Sequence, residues 1–177
     1  LELSRDLATR FNSRYGPTFV VPEPYIVPSV GKIRDLADPT TKMSKSLSAP
    51  TGILELLDDP KGNIRKLKAA VPDSGREIVF DEANKPGVAN LLTILAALTE
   101  TDIDVLVEKF AGRGYGDLKS AVAEAVTELA TPFRERTLEL MGERTELEAI
   151  LARGAERARA VAGPTLADVY AKVGLVR

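Results

Sequence analysis

Neither cysteine nor histidine occurs anywhere in the 177 residues. Without cysteine there is no disulfide framework, which fits a reducing compartment. Without either residue, zinc sites of the Cys/His type are excluded, as are nucleophilic triads with histidine as base. Strong charge bias is also missing: 24 basic groups face 26 acidic ones, for a net charge of -2. That balance argues against global disorder, and net charge alone does not mark a basic nucleic-acid binder. The first 80 residues are slightly basic and the remainder acidic. RNA binding to the second part would therefore need a local patch. Apolar runs stay short, as in Ile94-Leu95-Ala96-Ala97-Leu98, so no spanning segment or signal peptide is expected. No initiator Met and no cap precede the helix pattern of Leu1-Glu2-Leu3-Ser4-Arg5-Asp6-Leu7, so the sequence reads as cut from a longer one.

Lysine, arginine, carboxylates, hydroxyls and backbone groups remain for chemistry, with bound Mg²⁺ if needed. That inventory suits catalysis by positioning and charge stabilisation, as in phosphoryl or nucleotidyl transfer. At 44% hydrophobic residues the chain can bury a core, and its length suits one domain or two small ones.

Periodicity predicts an amphipathic helix over 1–14, with Leu3, Leu7, Ala8 and Phe11 as its apolar stripe. Thr18-Phe19-Val20-Val21 and Tyr25-Ile26-Val27 read as short strands bounded by prolines. Residues 32–37 form a third short element of open type. Helical material resumes at Thr51, breaks at residues 58–62, and continues as a basic amphipathic helix to about Ala70. Pro72-Asp73-Ser74-Gly75 reads as a turn, followed by an extended piece at 77–80. Beyond it the chain reads as all-helical. Pro86 sits at a first turn. A short helix spans 102–110, with Thr101 as cap and Asp104 in the capping-box position. A long helix follows over 117–141, bent near Pro132. Further helices span 145–161 and 165–173.

The boundary falls near residue 50. Before it lies material suited to the end of an α/β layer, and after it a helical domain. Between them, Asp38-Pro39-Thr40-Thr41 leads into Lys42-Met43-Ser44-Lys45-Ser46. Two lysines and two serines in one short polar loop offer ammonium donors, hydroxyls and a backbone nest for phosphate oxygens. The same composition also suits an ordinary solvated lysine loop.

Lys42 to Ser46 spells KMSKS, the signature of class I aminoacyl-tRNA synthetases. The flanks resemble the tryptophanyl-tRNA synthetases within that class. Leu1 to Ala8 with Phe11-Asn12 and Tyr15-Gly16 is similar to their helix after the amino-acid pocket. Lys85-Pro86-Gly87-Val88-Ala89-Asn90-Leu91-Leu92 and Gly112-Arg113-Gly114-Tyr115-Gly116-Asp117-Leu118-Lys119 resemble their helical domain. The likeness runs along nearly the whole chain.

The resemblance implies an α/β plus all-α fold. Residues 1–50 would be the C-terminal part of a Rossmann-like catalytic domain, 51–160 a helical anticodon-binding domain, and 161–177 a helix packing back on the first region. It implies ATP and Mg²⁺ as cofactors, and L-tryptophan, tRNA(Trp) and a second copy as partners. It also implies a cytoplasmic location, with no membrane. Lys42 and Lys45 would contact the ATP phosphates and stabilise adenylyl transfer. Ser44 and Ser46 would add hydroxyl or backbone contacts, Met43 would anchor the loop, and Ile33 would pack on adenine. Leu47-Ser48-Ala49-Pro50 departs from the acidic or proline-containing segment that often follows the signature. Neither G-x-G-x-x-G nor a histidine-containing signature is present. The remaining catalytic parts and the tryptophan pocket are therefore expected before Leu1, and this segment alone is expected to be inactive. Arg65, Lys66 and Lys68, and then Arg153, Arg157 and Arg159, read as solvated helix faces. Only the resemblance gives them an RNA reading. Alternatives are a tyrosyl-tRNA synthetase or a non-catalytic helical RNA-binding module.

Overall fold

The computed structural model describes residues 1–26, 31–71 and 75–175. Six helices run through these residues: α1 (Glu2–Tyr15), α2 (Pro60–Ala69), α3 (Pro86–Thr99), α4 (Ile103–Lys109), α5 (Tyr115–Gly142) and α6 (Arg144–Val173). Contacts divide the chain into two compact units. One is 26–139, and the other joins 1–25 with 140–177.

The core of the 26–139 unit is α3. No charged residue lies between Pro86 and Thr99, and every residue from Gly87 to Ala96 is buried. A helix apolar all round must sit inside rather than on a surface. Pro86 occupies its first turn, where a missing N–H costs nothing. Asp81 prepares that start by accepting hydrogen bonds from the Ala83 and Asn84 N–H groups, both at 3.0 Å. Leu67 from α2, Leu106 and Phe110 from α4, and Leu118, Val122 and Val126 from α5 pack into the same cluster as Val88 and Leu92. Complete burial of a leucine contributes roughly 1.5–3 kcal/mol. The last turn of α5, from Leu140, belongs to the other unit.

In that other unit, α1 buries Ala8, while Leu3 and Leu7 lie exposed. Phe11 does not share their outward face. Its ring stands 4.8 Å from Tyr15 and 5.0 Å from Phe19, centroid to centroid. The helix ends at Gly16 with φ 84, a left-handed value that glycine adopts without steric cost. Lys172 on α6 donates to the Pro17 carbonyl at 2.8 Å and to the Thr18 hydroxyl at 2.6 Å.

Four expectations are corrected here. The first concerns strands, of which the described residues contain none. The sole β-bridge among them joins Arg34 and Lys42. Residues 18–21 form no strand, and the Asn12 side chain binds the backbone of 18 and 19 where a partner strand would. Asn12 accepts from the Thr18 and Phe19 N–H groups and donates to the Phe19 carbonyl. At 77–80 the Lys85 ammonium and the Tyr115 hydroxyl donate to the Glu77 carbonyl in the same way. Val27 of the second expected strand, and Pro72, Asp73 and Ser74 of the expected turn, lie outside the described residues.

Second, residues 51–58 form no helix: turns and a bend at 51–52 and 56–58 flank irregular residues 53–55, and the Gly52 carbonyl is taken by the Leu36 N–H at 3.0 Å. Third, α4 has Asp102 at its N-cap without a side-chain cap bond, and the Thr101 hydroxyl donates to the Thr99 carbonyl instead. Fourth, α6 is continuous through Pro164, where two helices are expected.

Candidate functional site

The signature sits on a miniature antiparallel clip. The Met43 N–H donates to the Ile33 carbonyl at 3.0 Å, and the Asp35 N–H to the Thr41 carbonyl at 3.1 Å. These bonds flank the Arg34–Lys42 bridge. Residues 38–41 close the clip, with the Thr41 N–H donating to the Asp38 carbonyl and Pro39 buried beneath. Ile33 and Met43 are half-buried and pack against the α3 core, so both arms of the clip are pinned from below. Asn90 of α3 pins it again. Its side-chain amide accepts from the Arg34 N–H and donates to the Arg34 carbonyl.

After Met43 the chain makes a tight turn. The Ser48 N–H donates to the Ser44 carbonyl at 2.9 Å, while the Ser48 hydroxyl accepts the Ser44 N–H at 2.9 Å. The Ser44 and Ser46 hydroxyls lie 3.4 Å apart at the edge of the turn. Lys42 precedes this turn and Lys45 rides on it, both exposed. Among the described residues neither ammonium has an ion-pair or hydrogen-bonding partner. Ile33, Lys42, Met43, Ser44, Lys45 and Ser46 thus lie on one clip-and-turn. Ile33 and Met43 face the core, and the two lysines face outward.

Beneath the turn, Asp35 is only 4% exposed. Its Oδ1 accepts the N–H groups of Ala37 at 2.8 Å and Asp38 at 3.0 Å. Burial pushes its carboxyl up, but hydrogen bonds from the Ser48 hydroxyl and those two N–H groups outweigh burial and hold it below its usual 3.8. Gly52 passes so close that an added Cβ would lie 2.0 Å from Asp35 Oδ1.

Beside the turn is a hollow of about 240 Å³, lined by Lys45, Ser48, Ile53, Glu55 and Lys66 among others. Lys66 is committed there, bound to Asp58 at 2.7 Å and to the Ile53 carbonyl at 3.0 Å. It therefore leaves the basic face expected with Arg65 and Lys68. A larger hollow of about 770 Å³, lined by Arg76, Ile78, Val107 and Arg113 among others, contains no signature residue. Arg153, Arg157 and Arg159 are exposed on α6, which buries none of its residues. No group of three or more acidic side chains that could hold a metal occurs among the described residues. No described helix is long and apolar enough to cross a membrane.

Asp35, Ser48, Gly52 and Asn90 escape the sequence reading as site residues. Asn90, the one amide within a helix of apolar and threonine residues, is a signal that could have found one of them.

Comparison with known proteins gives the family of the chain. Residues 1–131 match the family model for tRNA synthetases class I (W and Y), and the chain belongs to that family. Among curated relatives it is 54% identical to a tryptophan–tRNA ligase of Mycobacterium leprae over 99% of this chain and 51% of that protein. It is 52% identical to tryptophan–tRNA ligase 2 of Streptomyces avermitilis, over 99% of this chain and 52% of that one. A tryptophanyl-tRNA synthetase structure from Mycoplasma pneumoniae superposes with a TM-score of 0.88 at 33% identity, covering 99% of this chain and 54% of that one. The Campylobacter jejuni enzyme complexed with ADP and tryptophan gives 0.62 at 27% identity, covering 98% and 53%. The chain thus spans about half the length of the curated relatives it matches.

Proposed function

We propose that the chain is the signature-bearing part of a tryptophan–tRNA ligase. In the reaction, the tryptophan carboxylate attacks the α-phosphorus of ATP and the bond to pyrophosphate breaks. A terminal ribose hydroxyl of tRNA(Trp) then attacks the activated carbonyl, and AMP leaves. The observation that carries this reading is the pair of exposed ammonium groups of Lys42 and Lys45, unpaired among the described residues, one on the clip and one on the turn that follows it. Charges carried on an ordered backbone but not neutralised are suited to meet negative charge that develops on departing phosphate oxygens. The Ser44 and Ser46 hydroxyls would add neutral donors, and Ile33 an apolar contact for adenine.

Mg²⁺ would neutralise phosphate charge when bound. The tryptophan pocket belongs to the other half of the full-length protein. This segment alone is inactive on this reading. Residues 1–50 are assigned to the Rossmann-like part and 51–160 to the anticodon-binding part, while 161–177, which begins inside α6, is assigned to packing back on the first region. Leu3 and Leu7, 70% and 56% exposed, suit a surface covered in a homodimer of the full-length protein. A cysteine-free composition suits the cytoplasm.

The test is amino-acid-dependent pyrophosphate exchange by the full-length protein. Tryptophan should drive exchange and tyrosine should not. Exchange with tyrosine alone would assign the chain to the tyrosine enzymes.

A further inference from the structure

The buried stretch of α3, Gly87 to Ala96, contains two polar side chains, Asn90 and Thr93. The Thr93 hydroxyl donates back to the Ala89 carbonyl of its own helix at 2.9 Å. Asn90, only 5% exposed, turns its amide out of the helix instead, to both polar groups of the Arg34 backbone. A buried amide is costly unless its donor and acceptor are both satisfied, and here one residue of the clip satisfies both.

Across the clip from Arg34 stands Lys42. The hydrogen bonds of the clip join 43 to 33 and 35 to 41, so Arg34 and Lys42 oppose each other as a non-hydrogen-bonded pair. In such a pair the side chains share one face at the closest spacing, while the N–H and C=O groups point to the outer edges. The outer edge of Arg34 is the one that Asn90 covers. Like charges directly opposite disfavour pairing. The Arg34 guanidinium is drawn aside to the Thr40 carbonyl at 3.3 Å and to Glu82 at 3.9 Å, and the Lys42 ammonium finds no partner among the described residues. Lys42 is therefore kept in register by backbone bonds and by the packing of Ile33 and Met43, not by attraction between the paired side chains.

We propose that Asn90 is a positioning residue for adenylyl transfer, holding the Arg34 arm of the clip on α3 and so fixing where its bridge partner Lys42 presents its ammonium. Resting on the functional reading above, this gives a role to a residue outside the signature. Asn90 itself touches no substrate. The signature supplies the charge, and an amide on the core helix sets the place from which that charge acts.

Two readouts test this, one of which needs no activity. In the 177-residue chain, hydrogen exchange of the Arg34 amide reports the anchor directly. Asn90→Leu, close in size but unable to hydrogen-bond, should speed it about tenfold more than it speeds the amide of Val122. Val122 is buried within α5, so its rate carries any global loss of stability. In the full-length enzyme, Asn90→Leu should slow single-turnover adenylate formation about tenfold per active site, with tryptophan affinity unchanged. Counting active sites removes unfolded protein from the comparison. In a Lys42→Ala background the same substitution should cost nothing further, because a residue that acts through Lys42 has nothing left to position. Should Asn90→Leu fail to fold, Asn90→Ser, whose shorter side chain leaves room for water, decides by the same measurements. Arg34 amide exchange that rises no more than that of Val122 overturns the anchor. Faster Arg34 amide exchange with an unchanged adenylate rate overturns the positioning role, and an equal rate loss in both backgrounds overturns the route through Lys42. A wild-type protein without tryptophan-dependent pyrophosphate exchange overturns the functional reading, and the role in adenylyl transfer falls with it.

Discussion

Asn90, in the middle of α3, binds both polar groups of the Arg34 backbone: its Oδ1 accepts the N–H at 2.8 Å and its Nδ2 donates to the carbonyl at 2.9 Å. A side-chain amide has the same donor and acceptor pair as a peptide, so it can take the place of a neighbouring strand. One arm of the clip therefore has the other arm as one partner and the core helix as the second. Asn90→Leu would remove both bonds and leave two backbone groups wanting partners. We expect a stability loss of about 1–3 kcal/mol for each unsatisfied group, read from denaturant unfolding. Asn90→Asp should cost less in packing but still lose the donor. An unchanged midpoint for both variants would show that water replaces the amide freely.

Lys42→Ala and Lys45→Ala in the full-length enzyme should raise the barrier to adenylate formation by about 2–4 kcal/mol, by analogy with the loss of one preorganised donor. Melting should hardly move, since both side chains are exposed and neither ammonium is paired among the described residues. Arginine should rescue poorly at either position, because its planar fork places donors differently from a compact ammonium. Single-turnover rates with saturating ATP and tryptophan, read beside a melting curve, check this. A rate loss matched by unfolding would make the lysines structural.

Lys119 on α5 spends its ammonium on the C-terminal end of α2, donating to the Lys68 carbonyl at 3.0 Å and the Ala70 carbonyl at 2.7 Å. These are carbonyls that a helix end leaves unsatisfied. Lys119→Met should therefore destabilise the protein by about 1.5–3 kcal/mol, the range for a hydrogen bond from a charged donor. Burial pushes the pKa of Lys119 below its usual 10.5. The unfolded chain thus holds the proton more tightly in the window between the folded value and 10.5. Stability from this group should rise with pH across that window, and Lys119→Met should abolish the rise.

Asp35 has the opposite sign at the other end of the pH scale. Its folded pKa lies below 3.8, so its contribution is complete above that value and lost as pH falls through the folded pKa. Asp35→Asn should flatten the acid limb of the stability curve below about pH 4 while leaving the neutral region offset but parallel. An acid limb of unchanged steepness would mean that other carboxylates govern acid unfolding.

The helices are largely legible because their apolar periodicity and first-turn prolines are local. Pro86 marks the start of α3, and a charge-free stretch marks its burial. Pro164 misleads because a proline removes one N–H and crowds one carbonyl, a penalty of roughly 3 kcal/mol that neighbouring turns can absorb. The extended pieces mislead for a different reason. Thr18 to Val21 and Glu77 to Phe80 have the composition of strands, but β-propensity measures fit to a sheet, and here side chains of Asn12, Lys85 and Tyr115 supply the partners. At the site, the lysines are legible because adjacent residues carry the motif. The Arg34–Asn90 bonds join positions 56 residues apart, and no local pattern encodes such a pairing.

The closeness of Gly52 to Asp35 has a consequence for how this segment can change over descent. One volume serves both positions, since a methyl group at 52 would fall 2.0 Å from the carboxylate oxygen. The two sites therefore cannot drift independently. A lineage must shorten the side chain at 35 before it can enlarge the one at 52. Positions 35 and 52 should be exchanged as a pair, so that Gly52→Ala is harmful alone and tolerated once Asp35→Ser has opened the space.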